Sequence, residues 1–204
     1  MGQRKRKGRL WTAVFLAILA VTAAGLFCVL RFRGGVAISP SADVEVKEEV
    51  FYCQKDPRWS GQRLGKSTYT MERSGCLVCC VAASLELQGR GREDPGELSQ
   101  ALSRAGALDE EGNLLWDALP RLDKNISSER CPFVDGRQVM EQLQAGRYPI
   151  VRVRVNGWGN YHYVLIVGAK GGEYQCMDPL SGQQEMVPLA DFGGRVYAVR
   201  YVDW

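Results

Sequence analysis

The sequence predicts an α+β domain of about 155 residues, preceded by one membrane-spanning helix. Three observations carry this expectation. An apolar run without charge occupies residues 10–30, helix-period apolar patterns fill much of 76–145, and the pattern changes to strand period from 150 onward.

Arg4, Lys5, Arg6, Lys7 and Arg9 precede the apolar run with no acidic residue among them, and Arg31 and Arg33 follow it. Leu10–Leu30 is 21 residues long; at about 1.5 Å rise per residue it spans roughly 31 Å, the thickness of a bilayer core. More basic residues before the run than after it predict a cytoplasmic N-terminus, so the expected location is the cell membrane, single-pass, with the C-terminal domain extracytoplasmic. A cleaved signal peptide shares the charged start, but its apolar region is about 7–15 residues and ends at a small-x-small site. Here the bulky Phe27 stands directly before Cys28, which also argues against lipid attachment, and Arg6 breaks the myristoylation pattern. The expected organisation is a basic tail (1–9), a signal anchor (10–30), a tether (31–49) containing Pro40, and the domain (50–204).

The net charge of +3 conceals a split: residues 1–35 hold seven of the 26 basic side chains and none of the 23 acidic ones, leaving 19 against 23, a net of −4. Nothing in that balance suggests nucleic-acid binding.

Within the domain, Cys76, Cys79, Cys80 and Ala83 recur at i, i+3, i+4 and i+7, a helix of small residues suited to close packing against a sheet. Gly75 precedes it; Gly89 and Gly91 end it. Asp94-Pro95-Gly96-Glu97 is a capping box for a second helix carrying Leu98, Ala101, Leu102 and Ala105. A short third helix is expected over 114–122, and Asp135 with Gln138 starts a fourth that ends at Ala145. Residues 150–155 alternate as a strand. Strands over 161–169 and 173–177 are joined by Lys170-Gly171-Gly172, a hairpin signal, and a last strand runs over about 195–202.

The chain has one histidine, His162. Imidazole is the usual general base near neutral pH, so acid–base chemistry of that kind has one place to occur. His162 and Asp178 lie eight residues either side of residue 170, nearly opposite one another in the expected hairpin, where facing Cβ atoms are about 5 Å apart. A helix beginning at Cys76 directs its positive dipole at the thiol and favours thiolate. Cysteine, histidine and aspartate then stand in the order nucleophile, base, orienter.

Tyr52-Cys53-Gln54-Lys55-Asp56-Pro57-Arg58-Trp59, Leu64-Gly65, Ser74-Gly75-Cys76, His162 and Asp178-Pro179 together resemble the bacteriocin-processing (double-glycine) peptidase-like domains of the papain-like cysteine peptidases. The resemblance covers roughly residues 50–204 and implies a papain-like fold, N-terminal helices packed on a C-terminal antiparallel sheet. It implies a thiol peptidase at a bacterial cell surface acting on a peptide or protein substrate, with Cys76 as nucleophile, His162 as base, Asp178 as orienter and Gln54 as oxyanion donor. No transporter is attached, so a processing domain of an exporter is not implied. The competing classes are a non-catalytic papain-like binding or scaffold domain and a cell-wall peptide hydrolase or amidase.

No cofactor is implied. Cys79 and Cys80 beside Cys76 raise a zinc or redox reading, but a second well-spaced ligand pair and a thioredoxin-like βαβ pattern are both missing. Six cysteines outside the anchor permit disulfides in an oxidising exterior or equally a set of buried thiols. Trp158, in a glycine-rich loop just before His162, is a candidate substrate-binding residue.

Overall fold

The computed structural model describes residues 2–91 and 93–204. Helix α1, Gly2–Phe32, contains the stretch Trp11–Leu30, 20 residues with a mean hydropathy of 2.7, long and apolar enough to cross a membrane. Met1 and the side chains of the expected basic tail lie outside the described residues. Residues up to Gly35 form one compact unit, and Val36–Trp204 form a second.

In chain order the second unit contains β1 (Val36–Ala37), α2 (Met71–Ser74), α3 (Cys76–Leu87), α4 (Pro95–Arg104), a 3-10 turn (Trp116–Arg121), β2 (Ser127–Arg130), α5 (Gly136–Gln144), β3 (Ile150–Arg154), β4 (Tyr161–Lys170), β5 (Glu173–Met177), β6 (Val187–Pro188), β7 (Arg195–Val196) and β8 (Ala198–Asp203). Six strands form an antiparallel sheet in the order β2-β8-β3-β4-β5-β6, and β1 pairs with β7 separately. Helices and an antiparallel sheet are thus combined in one unit, as the change of hydrophobic period implied.

Local chemistry explains the helix ends. Asp94 accepts from the Glu97 backbone N–H at 2.9 Å, and the Glu97 carboxylate accepts from the Asp94 N–H at 3.2 Å, completing the capping box of α4. Asp135 caps α5 by accepting from the N–H groups of Arg137 and Gln138. Helix α3 differs from the expected one-sided stripe. Val78 through Leu85 are all buried, because α4 packs on one side while β4, β3 and β8 pack on the other. The third helix is a 3-10 turn around Pro120, which cannot donate to an α-helical ladder.

Two further differences have physical causes. Strand β2, Ser-Ser-Glu-Arg, sits on the sheet edge largely in solvent, so it has no apolar alternation to betray it. The expected terminal strand divides at Tyr197, its first part pairing with β1 and its second with β3 and β2.

Much of the segment read as a tether is laid along the domain instead. Val44 exchanges backbone hydrogen bonds of 2.8 and 3.0 Å with Ala169, and the Lys47 N–H donates to Val167 at 3.1 Å. The crossing requires a glycine in β4: a Cβ on Gly168 would lie 2.5 Å from Val46 Cα and 2.8 Å from the Glu45 carbonyl oxygen. Those are backbone atoms and cannot step aside cheaply. Gly168→Ala is therefore expected to lower unfolding stability by about 1–3 kcal/mol, and urea denaturation of the two proteins measures it.

Candidate active site

The element from Gln54 to Trp59 is a folded staple. Asp56 accepts from the Arg58 backbone N–H at 2.9 Å and pairs with its guanidinium at 2.8 Å, and that guanidinium lies 4.4 Å from the centre of the Trp59 ring. Trp59 is fully buried and donates its indole N–H to the Cys53 carbonyl at 2.9 Å. The Gln54 N–H donates to Pro179, at 2.9 Å, in the turn that follows β5. Gln54 is consequently buried, 2% exposed, rather than a surface turn residue. Its Nε2 donates to the Glu72 carbonyl at 2.5 Å, which fixes which end of the carboxamide faces which way.

Cys76 begins α3, immediately after Gly75. A Cβ on Gly75 would stand 2.5 Å from the Met71 carbonyl oxygen, so glycine lets α2 and α3 abut at this joint. Cys76 is part-exposed. Cys79 and Cys80 are fully buried, and burial, ahead of nearby charges, pushes both thiols well up. The Cys80 thiol donates to the Tyr163 carbonyl of β4 at 3.5 Å. All seven cysteines are free thiols.

His162 lies at the start of β4, paired with Val153 of β3, and is 3% exposed. In the β4–β5 ladder Leu165 faces Met177, and a bulge follows at Ile166/Gly168. Extended, that register sets Asp178 opposite Val164, two residues from His162. An even offset keeps both side chains on one face, and His162 Nε2 lies 2.6 Å from Asp178 Oδ1. The same oxygen accepts from the Leu180 N–H at 2.8 Å, so the turn after β5 holds the carboxylate in place. The Phe192 ring, 6.2 Å from the imidazole between centres, shields it.

Burial alone would lower the His162 pKa. The hydrogen bond to Asp178, then a hydrogen bond and charge from Cys76, outweigh it and push the value up to about 9. With Nε2 engaged by Asp178, Nδ1 is the nitrogen left to Cys76.

Gln54, Cys76 and His162 all line one open cleft of about 650 Å³. Arg73, Leu77, Tyr161 and Tyr163 also line it, with Glu111 and Asn113 from a turn and Trp116 from the start of the 3-10 turn. Trp158 is 55% exposed and is not among the cleft-lining residues. Tyr161, Tyr163 and Trp116 supply the aromatic surface instead. The two tyrosines flank His162 and were legible by that adjacency; Trp116 falls at the start of the expected short helix, and residues 108–113 fall in no expected element.

No family model matches the chain, and no curated protein matches it. A similar solved structure is the crystal structure of a Bacillus anthracis protein described as a "putative C39-like peptidase". It aligns with 80% of this chain and 99% of its own at 15% identity and a TM-score of 0.50. At that identity the likeness shows a C39-like peptidase fold and nothing finer.

The raised histidine makes two measurable statements. A folded pKa of about 9 against an ordinary 6.5 means the pairing stabilises the fold fully below about pH 6.5. That contribution, roughly 3 kcal/mol, is lost as pH rises through about 9. Since the chain has a single imidazole, its NMR signal titrates alone. The expected midpoint is near pH 9 in the wild type, and Asp178→Asn moves it down toward the ordinary value; a midpoint that stays put would show that Asp178 does not hold the proton.

Proposed function

We propose that the protein is a membrane-anchored extracytoplasmic cysteine peptidase of papain-like type, hydrolysing peptide bonds through Cys76, His162 and Asp178. One observation carries the reading: a part-exposed thiol at a helix start faces the single histidine, whose far nitrogen is held by a carboxylate 2.6 Å away, and both line an open cleft. The C39-like peptidase fold supports it, and the apolar stretch Trp11–Leu30 supports the anchor. The basic residues flanking that stretch support a cytoplasmic N-terminus.

The reaction is acyl transfer. The Cys76 thiolate attacks the scissile carbonyl, forming a C–S bond as the carbonyl π pair moves to oxygen. The second Nε2 hydrogen of Gln54, not used by Glu72, and the Cys76 backbone N–H are the donors for that oxyanion, each worth roughly 3 kcal/mol. Collapse breaks the C–N bond, and the leaving amine takes the proton of the His162 imidazolium. The imidazole, now neutral, deprotonates a water that attacks the thioester and releases the acid and the thiolate. Asp178 keeps Nε2–H pointed at itself, so Nδ1 is the nitrogen that exchanges protons throughout.

Labelling with a peptidyl thiol-reactive electrophile at neutral pH tests the assignment. Cys76→Ala is expected to abolish labelling and His162→Ala to slow it; equal labelling of Cys76→Ala would place the reactive thiol elsewhere. On a peptide amide substrate, kcat/KM is expected to fall above about pH 9 as His162 loses the proton that the leaving amine takes. Gln54→Ala is expected to lower kcat by roughly 10²-fold, leaving Cys76 able to label.

A further inference from the structure

Beside the cleft, three adjacent strands carry a row of arginines: Arg130 on β2, Arg200 on β8, and Arg152 and Arg154 on β3. Arg130 stands opposite Arg200, and Arg200 opposite Ile150, one side-chain alternation from Arg152. Among the described residues one carboxylate reaches the row, Asp117 at 3.5 Å from Arg130 and itself 84% exposed. Arg154 donates to the Gly159 carbonyl at 3.1 Å, and Arg200 to that of Val199 at 2.8 Å. The Nε atoms of Arg152, Arg154 and Arg200 are buried without a hydrogen-bond partner.

Such a row is costly. Like charges on facing strand positions repel, and burial, then Arg130 and Arg152, lowers the Arg200 pKa. The unit that contains it is net acidic, with 23 carboxylate side chains against 19 basic ones, yet these arginines are left nearly without acids. Aromatic rings join the row to the cleft. The guanidinium carbons of Arg152 and Arg154 lie 4.4 and 4.1 Å from the Tyr161 ring centre, and that of Arg200 lies 5.9 Å from the Trp116 ring centre. Tyr161 and Trp116 both line the cleft. Stacking on a ring leaves the edge N–H groups of a guanidinium in the fork that matches a carboxylate.

From this we infer that the row is a subsite for acidic side chains of the substrate: Asp or Glu residues flanking the bond held at Cys76 pair with Arg152, Arg200 and Arg130, while the peptide lies over Tyr161 and Trp116. Arg154, 5% exposed, supports the Tyr161 ring and adds charge beneath it. The inference rests on the peptidase reading, which makes the occupant of the cleft a peptide.

Binding and labelling separate the two claims. Full-length Cys76→Ala protein in non-ionic detergent is titrated with a fluorescent glutamate-rich decapeptide and with its glutamine-matched counterpart. The acidic peptide is expected to bind about tenfold tighter, and less so as salt is raised. Arg152→Gln combined with Arg200→Gln is expected to remove most of that preference. Equal affinity for the two peptides, or a preference that survives the substitutions, overturns the subsite. Tighter binding of inorganic polyphosphate or of phosphatidylglycerol vesicles than of the acidic peptide overturns its assignment to a peptide. If the double variant does not fold, Arg130→Gln on the exposed edge strand must weaken the acidic peptide alone; no effect there also overturns the subsite. Failure of wild-type Cys76 to label would sink the peptidase reading while leaving the binding result to stand separately.

Discussion

Helix α3 is buried from Val78 to Leu85, and the strand it lies on, β4, is buried from Val164 to Ala169. Cys79, Cys80, Ala82 and Ala83 keep the helix surface low, so the two backbones approach closely enough for the Cys80 thiol to reach the Tyr163 carbonyl. Cys76 is the first residue of that helix, and His162 lies at the start of that strand. The separation of thiol and imidazole is therefore set by packing in the seam, where each buried aliphatic side chain contributes about 1.5–3 kcal/mol. Close-packed interiors respond to single methylenes, so a volume change at Val78 or Val164 reaches the site without touching it.

The same burial sorts the ionisable groups. Desolvation pushes up the thiols of Cys79, Cys80, Cys131 and Cys176 and keeps them protonated. Desolvation also works against a charged imidazole, and His162 keeps its proton because Asp178 and Cys76 together oppose it. Asp178 supplies that charge from a turn rather than from the strand, with its carboxylate fixed by the Leu180 N–H. Beyond the bulge in β4, the chain after β5 no longer has to pair, and the Asp178-Pro179 turn bonds back to Gln54. One short turn thus positions two of the groups proposed to act.

Hydrophobic period and capping chemistry made most of the second unit legible. The helices begun by Asp94 and Asp135 and the strands around the Gly171-Gly172 turn depend on local sequence, and they form where that sequence places them. The nearness of His162 and Asp178 was also legible: the two lie two residues from exact opposition, inside what the hairpin allowed, and the one-residue bulge at Ile166/Gly168, which leaves no mark in a periodic pattern, makes that offset even. What escaped was non-local. Val44 and Val46 alternate too briefly to announce that they cross β4, and only the absence of a side chain at Gly168 records the crossing. Glu111 and Asn113 come from a turn closed on Asp109 and Trp116 from the start of the 3-10 turn, and neither stretch of sequence says what it faces. Trp158 stood close to His162 in sequence, but adjacency in a loop does not aim a side chain.

Unsatisfied polar atoms show where the fold has been shaped by something other than its own stability. A buried donor or acceptor without a partner costs about 1–3 kcal/mol, and native cores seldom carry many. Among the described residues, seven side-chain atoms are in that position; five of them are Gln54 Oε1, the Nε atoms of Arg152, Arg154 and Arg200, and the Tyr197 hydroxyl. These are the cleft and the aromatic–arginine row beside it, since Tyr197 packs edge-on against Tyr161 at 5.3 Å between ring centres. The other two, Gln62 Oε1 against Gly96 of α4 and the Tyr201 hydroxyl, whose ring lies under Arg147, are elsewhere in the domain. The three guanidinium Nε groups and the Tyr197 hydroxyl gather around the Tyr161 and Trp116 rings that line the cleft, which fits the subsite proposed for acidic side chains.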